Sequence, residues 1–501
     1  MDKRMNPLYE QLNEHLERSV AFTTALTLFE WDTETLAPEA ASDQTSKIVG
    51  ILSEEYFKSI INDEVKGLLE QLEEKDQFNS LEQEQQAVVK QLRKLYGELA
   101  VIPREEYREY SELIAKSVIE WSDAREHDAF SEFVPTLKKI VAFKNKFANY
   151  RKTENQAIYD VLLEDYEPGF SMAQLDSFFD LLKQEIVPLL HSVKEEQSQI
   201  CKDYNYESYD INGQRDFNYW LAGYVGFDYE KGVISESAHP FTTDLHNKDV
   251  RITNHYYEHN LESAIFSTIH EVGHAIYEMN IDDKISQTII GAGASMGLHE
   301  SQSRFYENII GKNEAFWRPI YVRLQETFPE QLEKITLEAF LRGVRKVEPS
   351  LIRVDADELT YPLHILIRYE VEKMIFDGTV DMEDLPAIWN EKYEEYLGIT
   401  PTSYADGILQ DIHWACGDFG YFSSYAIGSA VAAQLYFYLR EHYPFEQWLQ
   451  EGKIPNITEL LKEHIHKYGM MKTTNELLLQ MTGEEFNPKY YIDYLKEVYQ
   501  K

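Results

Sequence analysis

Two histidines four residues apart, with a glutamate directly after the first, form the strongest chemical signal in the sequence. His270, Glu271 and His274 lie in the segment 261–279, where apolar residues recur at the spacing of an amphipathic helix. Because residues four apart share a helix face, both imidazoles can bind one ion at about 2.0–2.1 Å, the usual Zn–N distance. Glu271 can then accept a proton from water on that ion. The spacing predicts a hydrolytic metal site.

A catalytic zinc needs a third protein ligand, and the segment 297–302 offers two candidates. Spacing alone does not choose between His299 and Glu300. We favour Glu300, because a carboxylate is the usual third ligand when the first two come from this helical motif. The alternative interpretation of Glu300 is an ion pair with Arg304, one helical turn further on.

The segment 352–357 is polar where a core helix would be apolar. Its Arg353 is a candidate for binding the terminal carboxylate of a peptide, since a planar guanidinium donates two parallel hydrogen bonds to such a group. The alternative is a structural salt bridge between Arg353 and Asp355, Asp357 or another acid.

A second polar segment, 407–414, is followed by two tyrosines. Peptide hydrolysis develops negative charge on the carbonyl oxygen, and His413 and Tyr421 are candidate hydrogen-bond donors to that oxygen. The alternative for each is a structural role, which buried histidines and tyrosines often have. Cys416 lies beside them, but no cysteine–histidine–asparagine arrangement accompanies it, so we reject a nucleophilic cysteine.

Helical spacing dominates the chain on both sides of the metal motif. Breaks are expected near Pro38, Pro103 and the step 167–169, and a long helix is predicted over 172–191 behind the N-cap Ser171. Only the segment 235–256 alternates like a β-hairpin. We therefore predict a mainly α fold with one small β-sheet near the middle of the chain.

Composition sets further limits on the class of protein. The formal net charge of −39 disfavours nucleic acid and anionic membrane surfaces as partners. Two cysteines cannot form a disulfide framework, and the charged N-terminal stretch lacks the apolar run of a secretory signal. The most apolar run, 425–439, is shorter than the roughly 18 residues of a membrane span and is predicted to be a core helix. A cytoplasmic location is expected.

No glycine-, serine- or proline-rich linker divides the sequence. We therefore expect a single unit over 1–501, with an N-terminal helical part over about 1–230 and the polar motifs over about 235–430.

The ordered set of motifs resembles the carboxypeptidase Taq family of metallocarboxypeptidases. The matching segments run over most of the chain: Trp31-Asp32 with Pro38, His239-Pro240-Phe241, Asp249-Val250-Arg251-Ile252-Thr253, the segment 270–274, His299-Glu300-Ser301-Gln302, Ile352-Arg353 with Ala356-Asp357, and Gly407 with Gln410-Asp411 and His413-Trp414. A zinc-binding pentapeptide alone is moderately specific, whereas this ordered set is highly specific.

The resemblance implies a large, two-lobed helical fold with a deep groove, commonly as a homodimer. It implies one zinc per chain, with cobalt possible, and removal of single residues from peptides with a free C-terminus, with broad side-chain tolerance. The resemblance implies that His270, His274 and Glu300 are the metal ligands and that Glu271 is the general base. It implies that Arg353 anchors the substrate carboxylate, and that His413 and Tyr421 donate hydrogen bonds to the transition state.

Two other functions are compatible with parts of the sequence. An oligopeptidase would cut short peptides internally, and would therefore cleave peptides whose C-terminus is amidated. A metal-free helical scaffold would use the acidic surface for protein interactions, and would carry no stoichiometric metal. The ordered polar motifs favour the carboxypeptidase over both.

Overall fold

A computed structural model describes residues 6–500. Met1–Met5, at the start of the charged N-terminal stretch, and Lys501 lie outside the described residues. The N-terminal helices are α1 (Pro7–Thr35), α2 (Ser42–Ile60), α3 (Asp63–Leu72), α4 (Lys75–Ser80), α5 (Gln83–Ala100), α6 (Arg104–Glu126), α7 (Phe130–Arg151), α8 (Ile158–Glu164), α9 (Met172–Gln197) and α10 (Ile211–Val225).

The helices after the sheet carry five of the seven predicted site residues. They are α11 (Leu261–Met279), α12 (Met296–Arg304), α13 (Glu314–Trp317), α14 (Tyr321–Thr327), α15 (Pro329–Leu332), α16 (Leu337–Val344), α17 (Tyr361–Asp377), α18 (Leu385–Leu397), α19 (His413–Cys416), α20 (Ser423–His442), α21 (Phe445–Gln450), α22 (Ile454–His464), α23 (Thr474–Thr482) and α24 (Lys489–Tyr499). A π-helical turn, Phe305–Ile310, directly follows α12. Short 3-10 helices occupy Glu39–Ala41, Asp203–Tyr206, Arg353–Asp355, Met382–Asp384 and His466–Met471. Of the other two predicted site residues, Arg353 lies in one of these 3-10 helices and Tyr421 lies just before α20.

The small sheet has three strands: β1 (Gly232–Glu236), β2 (Thr242–His246) and β3 (Asp249–Asn254). Its order is β1-β3-β2, with β3 parallel to β1 and antiparallel to β2. The predicted hairpin corresponds to β2 and β3, and the third strand, β1, was not predicted. The fold class, mainly α with one small sheet, is confirmed.

Helix boundaries follow local sequence chemistry. The Asn260 side chain caps α11 by accepting from the Ser263 amide, and Ser171 caps α9 in the same way. The predicted helix over 172–191 continues to residue 197 with Pro188 inside it. The helix breaks near Pro38, Pro103 and 167–169 are confirmed.

Buried apolar side chains form two clusters. The smaller one joins α1, α3 and α5 to Ile281, Ile285 and Ile290, which lie between α11 and α12. The larger one contains residues from Ala124 to Tyr499 and surrounds α11 and α20. The run 425–439 lies inside α20 and is largely buried, as predicted for a core helix. Among the helices of residues 6–500, none combines the length and apolar character required to cross a membrane.

Candidate metal centre

Two glycines allow the helices of the predicted ligands to approach closely. A Cβ atom at Gly273, between the two histidines of α11, would lie 2.7 Å from the Ser303 Cα of α12. On the other side of α12, a Cβ atom at Gly428 of α20 would lie 2.7 Å from the Glu300 Cβ. Real Cβ atoms do not tolerate such distances. Helix α12 is therefore held between α11 and α20, with Glu300 directed at the histidines.

His270, His274 and Glu300 form a compact set of metal-ligating groups. Glu300 Oε2 lies 3.9 Å from His270 Nε2 and 3.7 Å from His274 Nε2. Donors around a tetrahedral zinc at 2.0–2.1 Å are about 3.4 Å apart, so a small inward movement of these side chains would complete the coordination of an ion. The chemistry of the three donors also suits a divalent ion. These residues fit a metal site.

The other candidate for the third ligand, His299, lies beside these three residues but contacts other groups. Its ring stacks on His274 with 4.4 Å between ring centroids, and its Nε2 is 2.8 Å from Glu278 Oε1. The structure therefore places Glu300, rather than His299, opposite both Nε2 atoms. His274 Nδ1 is buried and has no hydrogen-bond partner among residues 6–500.

A second layer of charged groups orients the predicted ligands. Glu307, in the π-helical turn, has its Oε2 2.8 Å from His270 Nδ1, which leaves His270 Nε2 free. Arg304 donates to both acids, with Nε 2.7 Å from Glu300 Oε1 and Nη1 3.2 Å from Glu307 Oε2. Although burial acts in the opposite direction, Arg304 and His270 lower the pKa of Glu307 to about 2. The ion pair between Glu300 and Arg304 thus uses one carboxylate oxygen and leaves the other facing the histidines.

Glu271 lies beside the set with one oxygen already engaged. Thr242 of the edge strand β2 donates its Oγ1–H to Glu271 Oε2 at 2.6 Å. Burial raises the pKa of the Glu271 carboxyl, with the Thr242 hydrogen bond acting against it. The remaining oxygen has no hydrogen-bond donor within the described part of the chain and is available to accept a proton.

Arg353 forms a structural salt bridge, the alternative considered from the sequence, and its partner is Asp411, which is distant in sequence. Its Nε and Nη2 donate to Asp411 Oδ1 at 3.1 and 2.9 Å, while Arg368 Nε donates to Asp411 Oδ2 at 2.7 Å. Although burial opposes it, Arg368 and Arg353 hold the pKa of Asp411 well below its usual range. Arg353 Nη1 makes no hydrogen bond to any residue of 6–500. Two guanidinium groups on one carboxylate leave an uncompensated positive charge there.

His413 and Tyr421 lie together in the part of the site that contains Arg353. Their rings stack with 5.4 Å between centroids, and His413 Nε2 is 3.3 Å from Tyr425 Oη. Burial lowers the pKa of His413 to about 4, so that its imidazole is neutral at neutral pH. Burial raises the pKa of the nearby Cys416 thiol, which agrees with rejecting it as a nucleophile.

Aromatic side chains connect the two groups of predicted residues. The Arg304 guanidinium lies 4.2 Å from the centroid of the Tyr361 ring, and Tyr361 contacts Tyr425 with centroids 6.4 Å apart. The Arg353 guanidinium lies 4.8 Å from the Tyr425 ring. Burial, together with the Glu300 carboxylate, raises the pKa of Tyr421 to about 12. All seven predicted site residues thus line one continuous region.

Several groups at this site were not predicted. Glu307 follows Glu300 by seven residues and Arg304 by three, and this spacing places all three on one helix face. The spacing is the sequence signal by which Glu307 could have been predicted. Thr242 lies in the predicted hairpin segment 235–256 and Asp411 lies in the motif Gln410-Asp411. No spacing rule relates Thr242 to Glu271 or Asp411 to Arg353. Their contacts follow from the tertiary structure.

Comparison with known proteins gives the family. The sequence pattern described as carboxypeptidase Taq (M32) metallopeptidase matches residues 11–499. The chain is 42% identical over 485 residues to carboxypeptidase 1 of Bacillus subtilis, covering 97% of this chain and 96% of that protein. It is 34% identical over 498 residues to thermostable carboxypeptidase 1 of Pyrococcus furiosus, covering 99% of each.

Solved structures agree with this relationship. The M32 carboxypeptidase from Deinococcus radiodurans R1 superimposes with a TM-score of 0.95 at 31% identity, covering 99% of this chain and 100% of the other. Metallocarboxypeptidase 1 of Trypanosoma cruzi superimposes with a TM-score of 0.94 at 32% identity, covering 99% of each chain. The family is one of metallopeptidases, which implies a divalent metal and argues against a metal-free scaffold. The relatives are named carboxypeptidases, which favours a carboxypeptidase over an oligopeptidase. This chain belongs to the carboxypeptidase Taq (M32) family and is a metallocarboxypeptidase.

Proposed function

We propose that His270, His274 and Glu300 hold one zinc ion per chain, with cobalt as the alternative, and that Glu271 is the general base for removal of C-terminal residues. The support is the position of Glu300 Oε2, 3.7–3.9 Å from both Nε2 atoms, while Glu300 Oε1 is occupied by Arg304. When bound, such an ion supplies Lewis-acid polarisation and lowers the pKa of water.

Glu271 supplies the proton transfers in this proposal. Thr242 holds Glu271 Oε2 at 2.6 Å and thereby sets the direction of the other carboxylate oxygen. That oxygen accepts a proton from the attacking water and passes it to the leaving amine. Burial, which raises the pKa of Glu271, makes the carboxylate a stronger base and therefore favours the first transfer, from water.

Arg353 binds the terminal carboxylate of the peptide in this proposal. Its Nη1 is free while Nε and Nη2 hold Asp411, so the guanidinium is fixed before substrate binds. Two arginines, Arg353 and Arg368, share one carboxylate, that of Asp411, so one positive charge is left uncompensated. This charge attracts an anion, although the chain as a whole is strongly acidic. This charge supports exopeptidase over internal cleavage.

His413 and Tyr421 donate hydrogen bonds to the oxygen on which negative charge develops. A neutral imidazole and a protonated phenol each retain one donor at neutral pH, in agreement with the low pKa of His413 and the high pKa of Tyr421.

The family resemblance also leads us to propose broad side-chain specificity and a homodimer, and the composition leads us to propose a cytoplasmic location. A single unit over 1–501 is supported by the larger apolar cluster, which contains residues from both sides of position 230. Size-exclusion chromatography with light scattering tests the homodimer.

One experiment tests direction, end group and metal together. A long unblocked peptide is followed by mass spectrometry over time, with and without chelator, beside the same peptide amidated at its C-terminus. We expect a ladder of products shortened one residue at a time from the C-terminus. The ladder should form only when metal is present and only from the peptide with a free C-terminal carboxylate. Equal cleavage of the amidated peptide would contradict the role of Arg353 and favour an oligopeptidase. Undiminished cleavage in chelator, with no stoichiometric metal by elemental analysis, would contradict the metal site.

A further inference from the structure

Helix α17 contacts the segment that carries His413 at two points. Arg368 and Glu372 lie one turn apart on this helix, and both are fully buried. Arg368 binds Asp411, two residues before His413, and Glu372 binds Trp414, the residue directly after it. The position of His413 therefore depends on α17 from both sides.

The Glu372 carboxylate accepts three hydrogen bonds from neutral donors. Trp414 Nε1 donates to Oε1 at 2.8 Å, and the Gly420 amide donates to Oε2 at 2.9 Å. Tyr159 of α8 donates its hydroxyl to Oε2 at 2.8 Å. Trp414 follows His413 and Gly420 precedes Tyr421, so Glu372 holds both ends of the loop between the two proposed donors.

The loop 414–420 needs such a restraint because helix α19 ends at Cys416 and residues 417–420 belong to no helix or strand. Gly417 and Gly420 have positive φ angles of +79° and +86°. Its middle is bound by two other side chains, since Ser117 donates to the Ala415 carbonyl and Tyr166 donates to Asp418 at 3.0 Å. Its two ends meet at Glu372.

A carboxylate suits this place better than an amide. It is acceptor-only when ionised, whereas an amide would direct its NH₂ group at one of the three donors. Burial raises the pKa of Glu372 to about 7, and the three hydrogen bonds that the carboxylate accepts act against this rise. We propose that Glu372 is a positioning residue that fixes His413 and Tyr421 relative to each other by accepting from Trp414 and Gly420. This inference rests on the proposed role of His413 and Tyr421 as donors.

The test compares Glu372→Gln with a matched control, Tyr159→Phe. Tyr159→Phe removes a hydrogen bond to the same carboxylate that does not involve the loop. We expect Glu372→Gln to lower kcat about 10- to 100-fold, as misplacement by about 1 Å does, with KM within about twofold because Asp411 still holds Arg353. Tyr159→Phe should lower the melting temperature but leave kcat unchanged. If His413→Ala and Tyr421→Phe lower kcat, equal kcat in Glu372→Gln and Tyr159→Phe would overturn the inference.

A double variant adds a second criterion. Trp414→Phe removes the donor at one end of the loop. Because Trp414→Phe and Glu372→Gln disrupt the same restraint, their effects on kcat should not multiply in the double variant. Multiplying effects would show that the two residues act separately and would contradict the proposal.

Crystal structures separate this inference from the proposed function. We expect His413 and Tyr421 to shift in Glu372→Gln; unshifted side chains would overturn the positioning role whatever the value of kcat. The variants His413→Ala and Tyr421→Phe test the donors themselves. If both kept full kcat while the side chains of Glu372→Gln had moved, the donor role would be wrong and the positioning role would stand.

Discussion

Arg304 Nε binds Glu300 Oε1 at 2.7 Å, and this contact leaves Glu300 Oε2 as the oxygen that faces both metal-motif histidines. The alternatives considered for Glu300, an ion pair and a metal ligand, therefore use different atoms of one carboxylate. Arg304 also reaches Glu307, the partner of His270, and so influences two of the three proposed ligands.

Arg304→Gln is expected to weaken zinc binding about 10- to 100-fold, the usual effect of losing a group that orients metal ligands. Competition with a chromophoric chelator measures this affinity without requiring activity. The matched control is Arg318→Gln, because Arg318 pairs with Glu314 at the same spacing on an exposed surface. Equal zinc affinity in both variants would contradict the orienting role of Arg304.

Glu271→Gln should retain metal and lose turnover by about 10²- to 10⁴-fold, the range of a general base. Metal content by elemental analysis and kcat on one peptide measure the two properties separately. Thr242→Val should lower kcat by a smaller factor, because it removes only the hydrogen bond that directs Glu271. Near-normal turnover in Glu271→Gln would refute the assignment.

Arg353→Met should reduce kcat/KM for free-acid peptides about 100-fold, the typical cost of leaving a buried ionic contact unmade. Both the variant and the original enzyme should leave amidated peptides uncut. Retained zinc affinity would show that the metal centre is intact. A variant that cleaves free acids normally would rule out Arg353 as the carboxylate anchor.

The Glu167→Gln variant should differ from the original protein in the pH dependence of stability. Burial raises the pKa of Glu167 to about 7, against an unfolded value near 4.5. Between these values the folded state binds one proton more, so the free energy of unfolding should fall by about 1.4 kcal/mol per pH unit as pH rises. Above about pH 8, where Glu167 is ionised in both the folded and the unfolded state, it should contribute no further change to the free energy of unfolding.

Urea unfolding at pH 5, 6, 7 and 8 measures this difference. The curve of the original protein should fall relative to that of Glu167→Gln over the lower part of the range. Parallel curves would show that Glu167 titrates normally in the folded protein.

Elements defined by local chemistry could be predicted from the sequence, and those defined by distant contacts could not. Helix α11 was predicted over its full length, because its cap Asn260 and its apolar spacing are both local. Strand β1 was missed because it pairs with β3 in parallel and because its two apolar residues, Val233 and Ile234, are adjacent. The sequence therefore lacks apolar–polar alternation there, although Val233 is exposed and Ile234 is partly buried. Pairing between distant segments leaves no short-range pattern.

The same distinction applies to the site. Both histidines and Glu271 share one helical turn, so their proximity follows from the helix itself. The choice between His299 and Glu300 depends on how α12 packs against α11, which the sequence does not contain. The alternative for Arg353 was a salt bridge to Asp355, Asp357 or another acid, and the sequence did not identify Asp411, which lies 58 residues away along the chain.

Gly273 gives the metal motif an additional requirement. Its neighbour across the helix contact is backbone, at Ser303 Cα and the Gln302 carbonyl, and Gly428 closes the opposite side of α12. Even a methyl group at position 273 would drive the two ligand-bearing helices apart, although no ligand atom had changed. In this protein the residue before the second histidine is therefore as constrained as the histidine itself.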